Sequence, residues 1–190
     1  MKNLRNYFIV LASCFLFFSS CNKDKTVAPP AETKIGDTYD GGKIAYFFQP
    51  GDPGYVEGQK HGIIVAFYDQ SVSMQWYNGS FTATGGTGIA LGTGNTNTNT
   101  IVNSQGVGTY AAKLCQDLAQ DNHTDWYLPS KDELNKVYLN KAAIGGFAIN
   151  FYWSSSEYNS NRAWRQDFDN GAQNNNDKDF AGYVRAIRTF

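Results

Sequence analysis

The sequence predicts an α+β domain, and three observations carry that expectation. Runs rich in β-branched and aromatic residues stand toward both ends of the chain. Helical three- and four-residue spacing is confined to the middle. The composition joins 15% aromatic residues and 19 glycines to only 17% charged residues, the balance of a loop-rich β-containing domain. A length of 190 residues suits one such domain behind a short leader.

The elements follow in order. "GKIAYFF" (residues 42–48) and "GIIVAF" (62–67) are bounded by Gly and Pro and are expected to be strands. "QPGDPGYVEGQKH" between them is a turn-rich connection. "MQWY" (74–77) predicts a further short strand. Residues 78–103 are dominated by Gly, Thr and Asn and predict a long loop, of the kind that is either functional or held down by packing. Over residues 107–120, Tyr110, Ala111, Leu114, Cys115 and Leu118 fall at helical spacing on one apolar face. Ser130 followed by Glu133 forms a capping box for a second helix, with Leu134, Val137 and Tyr138 as its buried stripe. Strands return at 151–158, 163–168 and 182–190, and the first and last strands are expected to pair. "DNGAQNNNDKDF" before the final strand is expected to be a loop, because Asn and Asp compete with regular backbone pairing.

The N-terminus predicts export. Lys2 and Arg5 precede the apolar run "YFIVLASCFLFFSS", which has signal-peptide length and is too short for a membrane span. Small residues before Cys21 resemble a bacterial lipoprotein signal. Cys14 fits the local pattern too, but cleavage there would leave "FLFFSS" on the mature chain. The expected organisation is a lipoprotein signal peptide at 1–20, a flexible tether at 21–34 lipidated at Cys21, and a folded domain at 35–190. An ordinary secretory peptide or an uncleaved anchor are the alternatives. Loss of Lys2 and Arg5 with the leader takes the formal charge from −1 to −3, which argues against a nucleic-acid partner.

Catalytic patterns are weak. With Cys21 acylated, Cys115 has no disulfide partner, and its helical setting fits a small buried hydrophobe. His61 and His123 are far apart and join no clustered zinc set. "GGTGIALGTGN" lacks the Lys-Ser/Thr of a phosphate loop, and Ser154, Ser155 and Ser156 have no nearby His. Asp167, Asp169, Asp177 and Asp179 could be weighed for calcium, but their spacing is not that of an EF-hand. No enzyme activity, metal or cofactor is expected.

Binding fits the C-terminal tail better. Its aromatic residues, arginines and Asn/Asp set form a palette like that of paratopes. The expected ligand-binding residues are Tyr158, Asn159, Asn161, Arg162, Arg165, Asp167, Asp169, Asn170, Asn174, Asn175, Asn176, Asp177, Asp179 and Phe180. Trp153, Trp164 and Phe168 are expected to be core.

"DWYLPSKDELN", "YWSSSEY", "AWRQDF" and "YVRAIRTF", in this order, resemble the C-terminal domain family of the collagen-like adhesin Lcl, common in bacterial surface lipoproteins. That resemblance implies a C-type lectin-like fold, with two helices packed on short antiparallel sheets, and a relation to formylglycine-generating enzymes. It suggests sulfated polysaccharide as ligand, but the mildly acidic mature chain lacks the basic surface polyanions want. The tail also resembles the variable region of target proteins diversified by retroelements. There, asparagine codons are altered only at adenines. Trp164, Gln166, Gln173 and Lys178 cannot be reached that way, whereas Asn159, Asn161, Arg162, Asp167, Asp169, Ala172, Asn174, Asn175, Asn176, Asp177, Asp179, Phe180, Ala181 and Gly182 can. The implied function is a protein lipid-anchored in the bacterial cell envelope, at the outer-membrane surface, that displays its C-terminal loops to an extracellular protein or glycan. A formylglycine-generator-related catalytic or accessory domain and a structural envelope lipoprotein are the alternatives. The oligomeric state is left open. Cys21→Ala is expected to abolish incorporation of labelled palmitate in cells; labelling that survives the change would move the acceptor to Cys14.

Overall fold

The computed structural model describes residues 32–190. The leader, Cys21 and most of the tether lie outside the described residues. In chain order the elements are β1 (Thr38–Tyr39), β2 (Gly42–Phe47), β3 (Gly62–Val65), β4 (Ser71–Met74), α1 (Gly94–Gln105), α2 (Ala111–Gln116), α3 (Lys131–Leu139), α4 (Lys141–Ile144), β5 (Phe151–Glu157), β6 (Arg162–Asp167), β7 (Gln173–Asp177), β8 (Gly182–Val184) and β9 (Ile187–Thr189). They build a mixed α+β fold with two sheets, ordered β1-β2-β3-β9 and β4-β8-β5-β6-β7. All pairings are antiparallel except β5 with β8.

Period-two alternation loads both faces of these sheets, and two cores result. Ile64 and Ala66 join Trp76, Ile101, Tyr110, Cys115, Trp126, Leu128, Trp153 and Val184 in one. Ala45, Ile63 and Val65 join Leu134, Val137, Tyr152, Phe168 and Ile187 in the other. Both cores lie within the compact unit Thr33–Phe190, so this segment contains the packing it needs to fold by itself.

The last apolar run is divided between the sheets. Residues 182–184 pair in one, 187–189 pair in the other, and Arg185 and Ala186 make the crossing. The last strand therefore pairs with β3, through Ile63↔Thr189, Ile64↔Arg188 and Val65↔Ile187, and not with β2 as expected. Arg185 is buried at the crossing. Its Nε donates to Asp69 at 2.5 Å and its Nη1 to the Ala66 and Phe67 carbonyls at 2.9 and 3.1 Å. Arg188 donates to Asp125 at 2.7 Å and Asp40 at 2.8 Å.

Four other expectations need correction. The Gly/Thr/Asn tract does not remain a loop: residues 94–105 form α1. Thr98 and Thr100 donate back to the Gly94 and Thr96 carbonyls at 2.8 Å. Fully buried Ile101 docks the helix, and Thr98 Oγ1 accepts from Leu128 N at 3.1 Å. Tertiary burial outweighs poor intrinsic propensity here. The strand expected at 74–77 instead spans Ser71–Met74, because Trp76 leaves the sheet to enter the core and donates to the Ser154 carbonyl at 2.8 Å. The third correction is the Asn tract, which forms β7. The helix expected over 107–120 is shortened to Ala111–Gln116. The capping box at Ser130 and Glu133 forms as expected.

A buried ion pair closes the C-terminal sheet. Lys178 and Glu157 are 0% and 2% exposed. The ammonium donates to Glu157 and, at 2.8 Å each, to the Thr82 and Ser160 carbonyls. Glu157 also accepts from Thr84 N at 2.9 Å and Gly85 N at 3.0 Å. Burial pulls the Lys178 ammonium below the usual lysine range, and the carboxylate opposes that shift. Removing one partner leaves the other charge buried and alone. Lys178→Ala is expected to lose about 3–5 kcal/mol of stability in urea unfolding, and the double change Lys178→Met with Glu157→Leu to recover most of it. A single change that costs nothing would remove the pair from any structural role.

Candidate functional site

The candidate surface is built by two consecutive hairpins, β5–β6 and β6–β7. Their turns are fixed by their own side chains. In the first, Asn159 Oδ1 accepts from the backbone of Asn161 at 2.9 Å and of Arg162 at 2.8 Å. In the second, Asp167 Oδ1 accepts from Asp169 N at 2.8 Å, Asp167 Oδ2 from Asn170 Nδ2 at 3.0 Å, and Asn170 Oδ1 from Ala172 N at 2.8 Å. Gly171 completes that turn at φ 84°, a conformation glycine adopts without strain, where an added Cβ would meet the Tyr138 ring at 2.5 Å. Asn159, Asp167 and Asn170 are thus engaged in turn geometry. Asp169 and Asn161 sit exposed at the turn tips.

The pleat then sorts the remaining candidates. β6 and β7 pair as Arg162↔Asp177, Ala163↔Asn176, Trp164↔Asn175, Arg165↔Asn174 and Gln166↔Gln173. Directly opposed residues share a face, and successive residues alternate. Gln166 and Gln173 face α3, donating to Asn135 Oδ1 and the Lys131 carbonyl at 2.8 Å. Arg162, Trp164, Asn175 and Asp177 share that face farther along the hairpin. Arg162 Nε donates to Asp177 at 2.9 Å, and both side chains are about half exposed, at 51% and 50%. Trp164, expected in the core, is instead half-buried; Lys131 of α3 lies over it, with Nζ 4.3 Å from the ring centroid. Tyr158 meets Trp164 edge-on at 5.5 Å. Trp153 and Phe168 are buried as expected.

The opposite face carries Arg165, Asn174 and Asn176. The Arg165 guanidinium lies 3.7 Å from the Phe151 ring centroid and 5.6 Å from that of Phe180. Its Nε donates to Asn174 Oδ1 at 2.9 Å. Burial pulls it below the usual arginine range, with Asp167 opposing. A partly dehydrated cation between aromatic rings holds a defined direction and keeps terminal N–H groups for a ligand. Phe180 is 56% exposed, and Asp179 beside it is exposed as well.

The fourteen candidates therefore do not converge on one face. Arg165, Asn174, Asn176 and Phe180 come together with Phe151, while Tyr158, Arg162, Asn175 and Asp177 lie across the sheet with Trp164 and Lys131. Phe151 and Lys131 escaped the sequence reading. Phe151 had a signal, since it opens a recognised strand, but only the register Phe151↔Asp167 shows which face it takes. Among the described residues no group of three or more His, Cys, Asp or Glu could hold a metal ion. Cys115 is buried, and burial pushes its thiol well above the ordinary range.

Positions unreachable by adenine-only codon changes have structural duties. Lys178 and Gln166 are fully buried, and Gln173 is bonded to α3. Gly182, among the reachable positions, departs from that division: an added Cβ would lie 2.7 Å from Trp153 Nε1.

Residues 66–188 match the Lcl C-terminal domain family. Among solved structures, the crystal structure of a fimbrial protein from Bacteroides ovatus ATCC 8483 is similar at a TM-score of 0.47 and 14% identity, over 67% of this chain and 35% of that one. This chain thus spans about a third of the fimbrial protein's length. No curated protein matches it. The crowding at Gly182 gives a direct expectation: Gly182→Ala should cost on the order of 1–3 kcal/mol in chemical denaturation. An unchanged midpoint would show that Trp153 yields to the added methyl group.

Proposed function

The chain belongs to the Lcl C-terminal domain family, and from that premise we propose that it is a surface-associated, adhesin-like binding protein. In this reading Cys21 carries the lipid anchor at the outer-membrane surface, residues 21–34 lift the domain off the membrane, and the C-terminal sheet presents the contact surface in a C-type lectin-like frame. The ligand is an extracellular protein or glycan. One observation carries the reading: Arg165 is held between Phe151 and Phe180 and donates to Asn174, on the sheet face that also carries Asn176. Aromatic faces and amides on a preformed backbone bind at low ordering cost. The burial of Lys178 and Gln166 among the unreachable positions, against the exposure of Asn159, Asn161, Asp169, Asp179 and Phe180 among the reachable ones, supports diversification of the same surface, with Trp164 and Gly182 as exceptions.

A catalytic reading related to the formylglycine generators draws less support. The mature chain's second cysteine, Cys115, is buried and its thiol stays protonated, so it offers no nucleophile at neutral pH.

Protein and glycan arrays probed with residues 33–190 test the proposal. Ligands found on the array should lose at least about tenfold in affinity, about 1.4 kcal/mol, when Arg165→Ala and Phe180→Ala are combined. Changing exposed Val107 to Ala should leave binding unchanged. Full binding by the Arg165/Phe180 variant would place the contact surface elsewhere.

A further inference from the structure

We infer that β7 is a self-association edge, along which two copies of this chain join their five-stranded sheets about a twofold axis at Asn175. This goes beyond the binding role and stands whether or not that role holds. The observation is an unprotected edge. β7 ends the sheet order β4-β8-β5-β6-β7, and its ladder with β6 runs through five regular pairs. The opposite edge, β4, is broken by a register shift against β8. In the other sheet, β1 is two residues long, and β9 is covered by reciprocal backbone bonds between Tyr127 and Ile187 at 2.9 and 3.0 Å. Natural edges are blunted by Lys, Pro, bulges or covering segments. Among the described residues β7, with the sequence Gln-Asn-Asn-Asn-Asp, has none of these.

The direction of its hydrogen bonds follows from the ladder. Asp167 N donates to the Ala172 carbonyl and Lys178 N to the Asn161 carbonyl, both at 2.9 Å. Antiparallel pairs alternate between bonded and non-bonded. Asn174 and Asn176 therefore spend their backbone groups on β6. The N–H and C=O groups of Gln173, Asn175 and Asp177 point to the open edge. Of these, the Asp177 carbonyl accepts one bond, from Phe180 N at 3.1 Å, and keeps a lone pair.

A second copy fits this edge because the edge is self-complementary. With Asn175 on the axis, Gln173 opposes Asp177 of the partner subunit, and each outward pair can exchange both backbone bonds. Each Asp177 carboxylate then faces an amide, so no like charges are opposed. Asn174 lies opposite Asn176 of the partner subunit. An axis normal to the sheet leaves the Arg165 faces of both copies on one side, which makes the assembly bivalent.

Analytical ultracentrifugation of residues 33–190 tests the inference. The unchanged protein should sediment with concentration-dependent doubling of its mass. Asn175→Pro removes one outward N–H, along with the exposed 3.4 Å bond from Arg162 Nη1 to the Asn175 side chain, and should yield monomers with unchanged circular dichroism. The charge variants separate dissociation from misfolding: N174K/N176K sets like charges opposite each other and should dissociate, whereas N174K/N176D sets opposite charges and should restore the dimer. A monomer at every concentration up to the solubility limit overturns the inference, as does a dimer that persists in both Asn175→Pro and N174K/N176K.

Discussion

The Lys178–Glu157 pair fixes the C-terminal half of this molecule. An ammonium has three N–H groups, and this one places them on Glu157, Thr82 and Ser160. Its own backbone donates to Asn161, and its carbonyl accepts from Trp76 N at 2.9 Å. One residue at the end of β7 therefore ties the β5–β6 turn, the segment around Thr82 and the departing chain at Trp76. A buried ion pair adds little net stability over an apolar substitute, but losing either partner leaves the other charge buried and unpaired. That property suits a sheet whose outer strand is made of Asn, which has little β propensity of its own.

With that end fixed, the pleat decides what the surface offers. Alternate residues of β6 and β7 go to opposite faces, so a tract that is uniform in sequence becomes two different surfaces. One is closed over α3 by the amides of Gln166 and Gln173 and ends in the Trp164–Lys131–Tyr158 group. The other is the Arg165 patch, flanked by rings and amides. Between the polar candidates stand side chains held by the fold: Gln166 and Gln173 bonded to α3, and Lys178 buried with Glu157. Under the proposed binding role, such a surface would tolerate changes of composition without disturbing its support, except at crowded positions such as Gly182.

The two arginines of the final run extend the same logic to the whole domain. Arg185 holds the crossing between sheets by bonds to Asp69, Ala66 and Phe67, while Arg188 pairs with Asp40 and Asp125 beside the first strand. Hydrogen bonding to Arg188 holds the Asp40 carboxyl below the usual carboxylate range. Neither arginine stood out in sequence, since a lone Arg in an alternating strand resembles a solvated residue.

The sequence by itself determined the α+β order, the capping box at Ser130, the buried role of Cys115 and the strands at 42–48, 62–67, 151–158 and 163–168, because local patterning and chain-neighbour bonds define them. It also singled out the tail as the place where scaffold and surface residues interleave. Tertiary structure alone decided that residues 94–105 are helical, that the Asn tract is a strand, that residues 182–190 serve two sheets and that Trp164 lies near solvent. Each of these depends on a partner distant in the chain: Leu128 for Thr98, β6 for β7, β3 for β9, and Lys131 for Trp164. Intrinsic propensity cannot register such partners, and where it is weak, as in runs of Asn, Thr and Gly, their hydrogen bonds and burial decide the outcome.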